Sequence, residues 1–72
     1  MDKELLNKLL PFVNDPLVRE AYESYAHYRL NVLRSQLERM KELDRIREIQ
    51  GAIGELRALL GLREDIIKRK DQ

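Results

Sequence analysis

Ile46-Arg47-Glu48-Ile49-Gln50-Gly51-Ala52-Ile53-Gly54-Glu55-Leu56-Arg57-Ala58-Leu59-Leu60 is the stretch that decides the fold class. Within it Ile46, Ile49, Ile53, Leu56 and Leu60 recur at alternating steps of three and four, and Ile67 lies one heptad further on. That is the period of a helix face that packs on another helix, as in coiled coils. A half-buried strand would need apolar residues at every second position, and no segment of the chain sustains that alternation. Ala52, Leu59 and Ile66 form a second line beside the first. A helix over about 45–68 is expected from this pattern.

Moving toward the N-terminus, Lys41-Glu42-Leu43-Asp44 reads as a turn with Asp44 as N-cap. No glycine or proline forces a break there, so a continuous bent helix is the alternative. Before it, Asn14-Asp15-Pro16 is the clearest punctuation in the chain. An aspartate can accept hydrogen bonds from the free N–H groups of a first turn, and proline fits the first helical position, where no donor is missed. A helix over about 16–40 follows, with two apolar rows. One is Tyr22, Ala26, Leu30, Leu33, Leu37 and Met40, and the other is Val18, Ala21, Tyr25, Tyr28 and Val32. A short helix over about 3–10 precedes it, capped by Asp2 and expected to stop before Pro11. The expected fold is therefore all-α: one domain over 1–72, an antiparallel helical hairpin of two long helices with a short N-terminal helix and coiled-coil-like packing.

Composition narrows the chemistry. Seventy-two residues without cysteine have no disulfide and no thiolate metal site, and a single histidine leaves little for an imidazole cluster. A core this small supplies only roughly 3–5 kcal/mol, so association with further copies is the route left for more stability. Fourteen basic residues against thirteen acidic ones give a formal +1, which indicates neither a bulk nucleic-acid binder nor an acidic tail. The longest apolar run is Ala58 to Leu60, far below a membrane span, and the start of the chain lacks a signal-peptide layout. A soluble cytoplasmic setting is expected, without a membrane partner and without a cofactor. No residues converge in a way that catalysis or metal binding requires, so no enzymatic role is expected.

Three groups of residues bear on function. Gly51, Gly54, Ala58 and Gly61 fall on one helix side, opposite the Ile/Leu seam. Interior glycine costs about 0.5–1 kcal/mol against alanine, so the strip reads either as a surface that another backbone approaches closely or as a tolerated solvated face. Tyr22, Tyr25 and Tyr28 offer large rings with polar ends, suited equally to a core boundary and to a partner surface. The interface candidates are Tyr22, Tyr25, Tyr28, Val32, Gly51, Ala52, Gly54, Ala58 and Leu59. Arg34, Arg39, Lys41, Arg45 and Arg47 gather near the turn and Arg63, Lys68, Arg69 and Lys70 near the end, where either group could touch phosphate. Glu38, Glu42, Asp44 and Glu48 interleave with the first and Glu64, Asp65 and Asp71 with the second, which favours solvated, salt-bridged surfaces over nucleic acid. Ion pairs at four-residue spacing are expected for Arg19/Glu23, Arg34/Glu38, Glu64/Lys68 and Asp65/Arg69. His27 reads as an ordinary surface or boundary residue. The polar end from Lys68 to Gln72 is expected to fray.

From Ile49 to Leu60 the order Gln-Gly, then an apolar-x-x-Leu-x-x-Leu-Leu run, resembles an element of short helical-hairpin proteins of tailed bacteriophages. Such proteins also carry a Tyr-rich helix upstream, as Tyr22 to Leu30 is here. The resemblance implies a viral accessory or virion-associated protein, with a place near the head or its portal among the settings it suggests, in host cytoplasm or virion, and carries over no catalytic residue. The residues themselves indicate a structural, protein–protein interaction role with the chain itself (a homo-oligomer) or another protein as partner. The alternative is a small nucleic-acid-associated or regulatory protein acting on a host machine through the turn and C-terminal arginines.

Overall fold

The computed structural model describes residues 2–70, and every element in that range is helical. The order is α1 (Lys3–Asn14), α2 (Pro16–Arg39), α3 (Leu43–Leu60) and α4 (Leu62–Lys70). Two of the boundaries follow directly from side-chain chemistry. Asp2 accepts from the Leu5 N–H at 2.7 Å and starts α1. Asp15 accepts from the N–H groups of Leu17 and Val18 at 3.0 and 3.2 Å, with Pro16 in the first turn, and so starts α2.

Three boundaries differ from the expectation. α1 does not stop before Pro11 but runs through it to Asn14. An interior proline costs about 3 kcal/mol through a lost hydrogen bond and a clash with the preceding turn. Against that, Val13 is fully buried, a gain of roughly 1.5–3 kcal/mol. Phe12 also stacks on Tyr22, centroids 5.1 Å apart and planes at 12°, for about 0.5–1.5 kcal/mol more. Packing thus balances the local penalty.

The second difference is at the start of α3, which begins at Leu43 with Glu42 as N-cap. No side chain caps it; the Glu42 carbonyl accepts from the Ile46 N–H at 3.0 Å, and Asp44, the expected cap, sits inside the first turn. The chain does break between α2 and α3, at Met40 to Glu42, so the continuous bent helix is not formed. The third is at Gly61, where the expected single helix over 45–68 divides in two. The Gly61 N–H donates to the carbonyls of Arg57 and Ala58 at 3.1 and 3.2 Å, and its own carbonyl accepts from Asp65 at 3.0 Å. One residue therefore closes α3 and opens α4. The break resets the helical phase: Ile66, expected on the flank, is fully buried, whereas Ile67, expected on the seam, is half-buried.

Packing divides between two regions. α2 packs on α3 around Leu30, Leu33, Ile49 and Ile53, with Leu37, Met40, Ala52, Leu56 and Leu60 around them. α1 packs on α4 and on α2, and Val13 of α1 and Ile66 of α4 are the fully buried large side chains. α2 thus contributes to both regions. The molecule is extended, 43 × 24 × 15 Å, and its radius of gyration of 14.9 Å exceeds the roughly 11 Å of a compact chain this long. Of the C-terminal stretch expected to fray, Lys68 to Lys70 are helical; Asp71 and Gln72 lie outside the described residues.

Candidate functional site

The two apolar rows of α2 have separate fates. Ala26, Leu30 and Leu33 are buried and Leu37 and Met40 pack against the α2–α3 core, so this row faces inward. The other row faces out. Tyr25 and Tyr28 are 61% and 62% exposed, with ring centroids 6.5 Å apart and planes tilted by 37°. Val18 and Val32 at its ends are half-buried and Ala21 is exposed. The cause is geometric: residues 21, 25, 28 and 32 repeat at steps of four and three on the side of the helix away from 26, 30 and 33.

The remaining interface candidates scatter. Tyr22 is half-buried beneath Phe12 and belongs to the α1–α2 contact. Burial, and next the Glu23 carboxylate, raise its phenol above the ordinary value, while Arg19 and Arg63 pull it back. Ala52 is packed against the core and Leu59 is half-buried. Gly51, Gly54 and Ala58 are exposed on α3, and a Cβ built on either glycine meets nothing within 4 Å. Among the described residues no other backbone approaches Gly51 or Gly54. The structure therefore brings Tyr25, Tyr28 and Val32 together on one face and sets the small residues on another helix.

The basic residues near the break, Arg34, Arg39, Lys41, Arg45 and Arg47, are all exposed. Two are engaged locally. Arg39 donates to the Ser35 carbonyl and Oγ, both at 3.4 Å, and Arg45 pairs with Glu48 at 3.5 Å. Of the four ion pairs expected, Arg19–Glu23 forms at 3.5 Å and Asp65–Arg69 at 3.1 Å, and Glu4–Lys8 forms in addition at 3.6 Å. Arg34–Glu38 and Glu64–Lys68 are not closed. His27 is exposed. Among the described residues no group of three acidic, histidine or cysteine side chains is placed to hold a metal ion. Among them also, no helix is long and apolar enough to cross a membrane.

The outer face of α2 also holds residues that lie outside both apolar rows. Leu17 is 78% exposed and extends the Tyr25/Tyr28 face toward the N-terminus. Ser24, Asn31 and Ser35 border the same face, so that between Leu17 and Ser35 the only charge beside it is Arg29 at its other edge, in a chain that is 38% charged. The available signal was this gap in charge, not any residue type. Depletion of charge with enrichment of tyrosine is the composition of an interface core.

The area agrees. The chain exposes 5727 Å², whereas a compact protein of 8.6 kDa exposes about 4,700 Å². The excess, roughly 1,000 Å², is comparable to the approximately 800 Å² that each partner contributes to a standard protein interface. Comparison with protein-family models, characterised proteins and solved structures finds no match to this chain.

Proposed function

We propose that the chain is a non-enzymatic interaction module: α2 and α3 form an antiparallel helical hairpin, α1 folds over it, and the unit self-associates or docks as a building part of a larger assembly. The single observation that carries this reading is the uncharged face of α2, with Tyr25 and Tyr28 more than half exposed on a chain that presents about a fifth more surface than its mass requires. The likeness of Ile49 to Leu60 to short phage hairpin proteins supplies the setting, a virion-associated or accessory protein.

Light scattering or sedimentation over about a hundredfold range of concentration tests self-association by mass action. A mass above 8.6 kDa at the upper end, insensitive to salt, is expected. A binder of nucleic acid through Arg34, Arg39, Lys41, Arg45 and Arg47 would instead shift DNA and lose it steeply between about 50 and 200 mM salt. A lone subunit at every concentration would overturn self-association.

A further inference from the structure

We propose that the outer face of α2 is the contact surface between two copies of this chain, and that the copies meet with their α2 helices antiparallel about a two-fold axis near Ala26–His27. The proposal rests on the self-association reading and adds to it a face, a direction and a register.

The face is set by spacing and exposure. Ala21, Tyr25, Tyr28 and Val32 recur at steps of four, three and four, the seam of a two-helix contact, and lie outside the intramolecular core. Two identical helices can lay this seam together in parallel or antiparallel. Size complementarity favours the second. About an axis midway along the seam, Tyr25 of one copy meets Tyr28 of the other and Ala21 meets Val32, a small residue against a larger one. In a parallel pair Ala21 meets Ala21 and leaves a gap, while each tyrosine meets its own equivalent.

Charge points the same way. The first half of α2 carries Glu20 and Glu23 after Asp15, with Arg19 already paired to Glu23 at 3.5 Å. The second half carries Arg29, Arg34 and Arg39 against Glu38. An antiparallel copy lays the acidic half along the basic half and opposes the two helix dipoles, whereas a parallel copy sets like on like. Ser24, Asn31 and Ser35 border one side of the seam without charge, and Arg29 flanks the other side, four residues after Tyr25, where its long side chain can keep the guanidinium at the wet rim. The surplus of the whole chain, roughly 1,000 Å² over a compact protein of its mass, is enough to accommodate one such contact of roughly 800 Å² per copy. A second copy thus satisfies the seam spacing and the charge polarity together, within the surface the chain has to spare.

The chain has no cysteine, so single introduced cysteines report contact directly. Ala21→Cys and Val32→Cys are made separately in the full chain, then oxidised alone and as an equimolar mixture. Antiparallel contact yields a disulfide-linked dimer from the mixture and little from either alone, because a bridge needs Cα atoms within about 7 Å. Cross-linking of Ala21→Cys alone would overturn the antiparallel arrangement. In parallel, Tyr25→Glu with Tyr28→Glu, both on exposed sites, is expected to weaken dimerisation by about a hundredfold or more with helix content retained. An associating wild type whose mass is untouched by that double variant, and that cross-links in no combination, would overturn this face while sparing self-association. A wild type that never associates would overturn both.

Discussion

Replacing Gly51 and Gly54 by alanine together is expected to stabilise the protein, and the size of the effect follows from the structure. Both residues lie inside α3 with ordinary negative φ, both are exposed, and an added Cβ at either meets nothing within 4 Å. The methyl groups therefore encounter no neighbour, and the change acts by restricting the unfolded chain and favouring helical geometry. Each substitution contributes about 0.5–1 kcal/mol. The sites are neighbours one turn apart, but each change adds a single methyl group that meets no shared partner, so the two together reach roughly 1–2 kcal/mol. In a domain of this size each kcal/mol moves the melting temperature by about 4–8 °C, so the pair should raise it by roughly 5–15 °C. Thermal unfolding by far-UV circular dichroism reads this, repeated at two concentrations so that association is separated from intrinsic stability. A fall in melting temperature at high concentration, absent on dilution, would refute the reasoning, because it would mean that another backbone sits against the strip in the assembly.

Ile53 is 7% exposed at the centre of the α2–α3 contact, and Ile53→Ala should remove about 2–5 kcal/mol. That is most of what a core this small supplies, so the variant should be largely unfolded in a urea titration begun at zero denaturant. Asp15→Ala removes the cap of α2 and should cost about 0.5–2 kcal/mol, visible as a lower melting temperature, with Asp15→Asn nearly restoring it. Tyr22 favours its neutral form in the fold, since its phenol is raised chiefly by burial. Stability from this group is intact below about pH 10, where both states hold the proton, and is lost as pH climbs from there through the folded value. Tyr22→Phe should flatten that alkaline decline, measured as melting temperature against pH.

How much of this was legible beforehand depends on what each feature answers to. The helical class, the Asp2 and Asp15 caps and the inward row of α2 are local matters: periodicity and one side chain accepting backbone N–H groups suffice. Pro11 shows the limit. The sequence states its penalty, but the compensation comes from Val13 and Phe12 finding partners on other helices, which no local pattern encodes. Gly61 is similar, since a glycine near the end of a helical pattern can be tolerated or can end it. The start of α3 lacked a capping side chain altogether, so the nearer aspartate, Asp44, drew the boundary too late. At the candidate surface Tyr25, Tyr28 and Val32 were visible as one row, whereas Leu17 was not, because exposure of a leucine leaves no mark in its spacing.

The jog at Gly61 has a kinetic corollary. α2 and α3 are joined by three residues, Met40 to Glu42, so their docking closes a very short loop. α1 and α4, by contrast, must find each other across everything from Asp15 to Gly61, and long closures carry a larger entropic toll and slow the search. The central pair should therefore zip first and the outer pair clasp it afterwards. Until that clasp closes, Val13 and Ile66 remain wetted, and it is in this half-assembled interval that the chain is most open to proteases and to sticking where it should not.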